Sequence, residues 1–206
     1  MRLKNSISSH PKINGFLLSS RFSGGFTVTE LVLALAITLI VISAMVSLLI
    51  SLNRAFAVQN VTAGVQQVTR SGINIMARSI RMAGFNPLKV NHIGILQASA
   101  DKIRFQQDTN SSGQIEIGKD EDIAYLLNDN QQLIRQKDGN ARSNRSIVDQ
   151  VHSLEFKYFN RENKETKLLD DIHSIEISLT IREPVGKEKF ISRTYSTRVI
   201  CRNLKV

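Results

Sequence analysis

Gly24-Gly25-Phe26-Thr27-Val28-Thr29-Glu30 opens an apolar stretch that runs to Leu52, and Glu30 is the only ionisable side chain between Phe26 and Leu52. Coiled as a helix, this stretch extends roughly 40 Å at about 1.5 Å per residue, enough to cross the roughly 30 Å hydrocarbon layer of a bilayer with some tilt. A membrane-spanning helix is predicted over 26–52. Glu30 stands out within it, because a carboxylate next to hydrocarbon is costly unless a cation partners it or a function retains it. The alternative is an ordinary signal anchor that tolerates one acid near its end, where charge is only moderately expensive.

Residues 1–25 carry Arg2, Lys4, Lys12 and Arg21 and no acid, with a short apolar patch at Ile13 to Leu18. A secretory signal places its cleavage site after an apolar core, and that order fails here. The basic segment instead precedes the membrane helix. Its positive charge holds that end in the cytoplasm and sends the following domain to the outer side of the inner membrane.

A basic leader, then glycine, then Phe-Thr-x-x-Glu and an apolar run resembles the N-terminus of the type IV pilin superfamily, with matches at Gly25, Phe26, Thr27 and Glu30. The resemblance implies that prepilin peptidase cuts between Gly25 and Phe26 and that the new amino terminus, Phe26, is N-methylated. It also implies that Glu30 neutralises the terminal amine of a neighbouring subunit in a fibre. A lone buried carboxylate would then find its cation only after processing has created one.

Beyond Leu52, Val58, Val61, Val65, Val68, Ile75, Met76 and Ile80 recur at spacings of an amphipathic helix, with Arg54, Gln59, Gln66, Gln67, Arg70, Arg78 and Arg81 between them. One continuous helix from Phe26 to about Met82 is predicted, its second half (53–84) packing that stripe on a sheet. Gly64 and Gly72 each weaken it by roughly 1 kcal/mol relative to alanine, and mark bending or close packing. Ala83-Gly84-Phe85-Asn86-Pro87 supplies a glycine for positive φ and a proline that ends the helix. The run Ile75 to Phe85 resembles the PilW family of minor pilins, in which an arginine and Ala-Gly-aromatic close the long helix. Arg78 and Arg81 are expected on an exposed face, snorkelling into solvent.

From Lys102 the apolar period changes to two, as half-buried strands require. Strands are predicted around Ile103 and Phe105, at Ile115 and Ile117, at Ile123 to Leu127, and at Leu133 to Lys137 after a hairpin turn at Asn128-Asp129-Asn130. Others are predicted at His152 to Phe159, His173 to Arg182 and Ser192 to Cys201. Asp138-Gly139-Asn140, Asn160 to Lys167 and Glu183 to Lys189 read as polar loops. The expected fold class is α+β, a long N-terminal helix packed on one antiparallel sheet, with residues 85–206 as a β-rich globular domain. Cys201, the only cysteine, permits no intrachain disulfide and reads as a small buried hydrophobe.

Hydrophobic content of 42% and charged content of 22% are ordinary for a folded protein. Net charge is +9, of which the leader cations account for much, and no dense basic run with interleaved aromatics appears, so nucleic-acid binding is not expected. Asp108-Thr109-Asn110-Ser111-Ser112-Gly113 resembles the start of a calcium loop, with Asp108, Asn110 and Glu116 as candidate ligands. Lys119 stands where the closing acid belongs, and a plain hairpin turn between Phe105 and Ile115 explains the same residues. His10, His92, His152 and His173 stand apart, and no nucleophile elbow, phosphate loop or paired-cysteine motif occurs. No catalytic residue and no cofactor is assigned.

The expectation is therefore a PilW-like minor pilin, a structural subunit that primes assembly or displays an adhesive face. Its partners would be other pilins, prepilin peptidase and an inner-membrane assembly platform. Two rivals stay open: a pseudopilin of type II secretion similar to the J component, and a DNA-binding minor pilin of a competence filament.

Overall fold

The computed structural model describes residues 24–89, 93–185 and 189–204; the leader up to Ser23, with His10, and also His92 lie outside them. By contact density the chain divides into two compact units, Met1–Ile50 and Ser51–Val206. Helix α1, Val28–Arg81, contributes to both.

In the first unit α1 is apolar on every side. Leu31, Leu35, Ile42 and Leu49 are 58%, 56%, 52% and 54% exposed. An all-round apolar helix is either buried in a large protein or set in a bilayer, and no residue of the most apolar window of α1 is buried, so α1 is long and apolar enough to cross a membrane. Its few hydroxyls are spent internally: Thr38, Ser43 and Ser47 donate to the carbonyls of Ala34, Ile40 and Ser43 at 2.7, 2.8 and 2.9 Å. None of them is left to demand water.

The second unit joins the rest of α1 to eight strands: β1 (Ile95–Ala98), β2 (Lys102–Gln106), β3 (Asp122–Leu127), β4 (Leu133–Lys137), β5 (Asn140–Val148), β6 (Val151–Phe159), β7 (Ser174–Val185) and β8 (Lys189–Ile200). They form two antiparallel sheets, one of five strands in the order β1-β2-β3-β4-β5 and one of three in the order β6-β7-β8. The expected single sheet is thus corrected to two. The break falls between β5 and β6, where Asp149 and Gln150 part the strands and the Val151 N–H donates to the Gln131 carbonyl at 2.8 Å instead.

The sheets are tied along the second half of β6. The Phe156 N–H donates to Ala100 O at 2.7 Å and the Tyr158 hydroxyl to Ser99 O at 2.7 Å. Ile103, Phe105, Ile123, Tyr125 and Leu133 of the first sheet share one core with Phe156, Ile175, Ile177 and Leu179 of the second. The Phe105 and Tyr125 rings stack with centroids 6.3 Å apart.

The face of α1 that enters this core is Val65, Thr69, Gly72, Ile73, Met76, Ala77 and Ile80. Ile73, Met76 and Ile80 are fully buried, each worth roughly 1.5–3 kcal/mol of hydrophobic transfer. The predicted stripe is corrected in part, because Val58, Val68 and Ile75 are 42%, 43% and 39% exposed. Small residues explain the shift. A Cβ on Gly72 would stand 2.8 Å from Val148 Cγ2 and 3.1 Å from Leu179 Cδ2, so the helix touches strands of both sheets there. The Thr69 hydroxyl, buried with them, donates to Val65 O at 2.6 Å.

The helix ends as expected, with Gly84 at φ 78° and its N–H donating to Gln106 O at 2.9 Å. Four strand expectations change. Ile115 and Ile117 form no strand: they lie in a loop from Gln107 to Glu121, and Ile117 is 91% exposed. β1 was not expected, and neither was β5, whose Asn-Ala-Arg-Ser-Asn-Arg-Ser start is polar. Asp138 and Gly139, both at positive φ (54° and 62°), make the two-residue turn that β5 needs. β7 continues past Glu183 and Pro184 to Val185; Pro184 is tolerated because β6 pairs only as far as Ile181, leaving an edge there.

Candidate functional site

Gly24, Gly25, Phe26 and Thr27 precede α1 without regular structure, and Phe26 is 89% exposed. A Cβ on Gly25 would meet nothing within 4 Å. Thr27 then caps the helix. Its Oγ1 accepts from the Glu30 N–H at 3.3 Å, while Glu30 Oε2 accepts from the Thr27 N–H at 2.9 Å and from the Thr27 hydroxyl at 3.0 Å. Ncap threonine and N3 glutamate thus satisfy each other, a capping box. Thr27-x-x-Glu30 is the sequence signal for it, a role for this carboxylate besides the neighbour's amine that the pilin resemblance implies. Among the described residues no cation pairs with Glu30.

The loop of the calcium-like motif spends its oxygens on itself. Asp108 is fully buried; Oδ1 accepts from the Ser112 N–H at 3.1 Å and Oδ2 from the Gly113 N–H at 2.9 Å. The Asn110 side chain accepts from Ser112 N–H at 2.9 Å and turns its amide nitrogen, not its oxygen, toward Glu116, donating at 2.9 Å. Lys119 Nζ sits 3.2 Å from Glu116 Oε2, and the Asn110 hydrogen bond, then Lys119, holds the Glu116 carboxyl below its usual range. Buried Glu121 closes the loop, accepting from Glu116 N–H at 2.8 Å and the Thr109 hydroxyl at 3.1 Å. The plain hairpin expected between Phe105 and Ile115 is therefore a longer loop with its own polar core.

The remaining groups stay apart. His152 is exposed and His173 half-buried, and among the described residues no three His, Cys, Asp or Glu side chains converge as a metal site would require. Arg78 and Arg81 are exposed on α1, as expected. Cys201 is 1% exposed, with Sγ 3.8 Å from the Ile80 carbonyl oxygen, and burial pushes its thiol up to about 12.

Fold and site together define an α+β protein with one helix fit to cross a membrane and a two-sheet domain. No known family model matches the chain, and no curated protein matches it significantly.

Proposed function

We propose that the chain is a PilW-like minor type IV pilin: processed between Gly25 and Phe26, N-methylated at Phe26, held by α1 in the bacterial inner membrane, and then drawn into a pilus fibre. One observation carries the reading. An exposed Gly-Phe segment leads straight into an exposed, all-round apolar helix whose sole acid, Glu30, lies at its start with no cation beside it among the described residues.

In a fibre, the apolar half of α1 exchanges lipid for neighbouring helices, an association driven by packing and polar pairing. Cutting before Phe26 creates an ammonium close to Thr27. The capping box holds the Glu30 carboxylate at the same end of the helix, ready for the amine of another subunit. The two-sheet domain, with prepilin peptidase, other pilins and an assembly platform as partners, supplies the outer surface.

Replacing Glu30 tests the pairing. Glu30→Ala is expected to stay in the membrane while its yield in sheared filaments falls about tenfold or more, the equivalent of about 1.4 kcal/mol. Glu30→Gln keeps a capping acceptor but no charge and is expected to fail equally. Normal incorporation of Glu30→Gln would assign Glu30 to the helix cap alone.

A further inference from the structure

The geometry points to a binding site for an acidic peptide segment in the open cleft between α1 and the five-stranded sheet. The cleft holds about 690 Å³, within the range of about 300–1,000 Å³ typical of ligand sites. Arg78 from α1, Arg135 from β4 and Arg145 from β5 line it, with Asp120 as the acid among them. Asp120 is already answered: Lys137 Nζ lies 2.6 Å and Arg135 Nη2 3.1 Å from its Oδ1. The Lys137 hydrogen bond, with Arg135 behind it, holds the Asp120 carboxyl below its usual range. Arg78 and Arg145 have no ion-pair partner among the described residues, so the cleft keeps a cationic excess.

Two further features specify what fits. Gln107 lines the cleft and is 7% exposed; its Nε2 donates to Asp120 O at 2.8 Å, but its Oε1 has no partner. A buried acceptor left unpaired is costly, and an N–H donor is the complement it lacks. Ile75 and Met82, each 39% exposed, supply apolar wall. Carboxylate, N–H donor and aliphatic body are what an acidic peptide presents, and guanidinium groups pair with carboxylates in two-pronged fashion. Acidic sugars and nucleic acid fit less well, since the one ring in the lining, Tyr125, is 1% exposed and offers no face for stacking.

The full chain in zwitterionic detergent, titrated against a dye-labelled blocked peptide of alternating glutamate and leucine, tests this by fluorescence anisotropy. Saturable binding is expected, weakened about tenfold or more when the peptide's glutamates become glutamines, and likewise by Arg145→Gln, whose exposed position leaves the melting temperature unchanged. Arg78→Gln is expected to weaken it in the same way. Equal affinity for the two peptides, wild-type affinity in both arginine variants, or saturation by an oligouronate but not by the peptide would each overturn the proposal. None of these outcomes touches the reading of Glu30, which rests on other residues.

Discussion

Cys201 sits just past β8 with its sulfur against the last turn of α1, 3.8 Å from Ile80 O. Its thiol is raised from 9.0 to about 12 by burial, which fixes the sign of its pH dependence. Below about pH 9 both folded and unfolded thiols are protonated and its contribution is whole; as pH rises from about 9 toward 12 only the unfolded thiol ionises, and stability is lost. Cys201→Ala is expected to flatten the fall in melting temperature across that window. In the native chain at pH 8, a disulfide-exchange reagent should label Cys201 only as fast as the domain opens; prompt stoichiometric labelling would contradict its burial. The buried thiol was legible because Val199 and Cys201 continue an alternating strand. The capping role of Glu30 was equally present in Thr27-x-x-Glu30 but was masked by the demand of its charge. The hydrogen bonds of Asp108 and Asn110 were not legible, since oxygen-rich turns look alike whether they bind an ion or their own backbone.

At the scale of elements, α1 shows why period alone misplaces a buried face. Apolar residues lie on more than one side of its second half, and the face that sinks deepest, with Thr69 and Ala77 on it, is the one where Gly72 lets β5 and β7 come close. Gly72 and Gly64 therefore make a paired test. At Gly72 an added Cβ meets the stiff Val148 side chain at 2.8 Å, and overpacking of about 1–3 kcal/mol outweighs the roughly 1 kcal/mol gained in helix propensity. At Gly64 nothing lies within 4 Å, so only the propensity gain of roughly 1 kcal/mol remains. Thermal midpoints of the detergent-solubilised chain should fall for Gly72→Ala and rise for Gly64→Ala. Two changes of the same sign would refute the packing described here. Among the strands, β5 had its signal in Asp138-Gly139, whose left-handed pair dictates a tight hairpin, but its polar run hides it from any hydrophobic period. β1 is too short to show one.

For the whole molecule, the helix and most strands followed from local pattern, whereas the division into two sheets did not. That division rests on pairings distant in sequence: Tyr158 to Ser99, Phe156 to Ala100 and Val151 to Gln131. The arginine cleft was hidden for the same reason, its residues coming from α1, β4 and β5. The start of the chain is the reverse case, where everything proposed depends on a few adjacent residues. The most direct measurement is intact mass with N-terminal analysis of the chain recovered from membranes of cells with active prepilin peptidase. A chain beginning at N-methylated Phe26 is the expected result. Recovery of a chain that retains residues 1–25 in such cells would contradict it and make α1 an ordinary signal anchor.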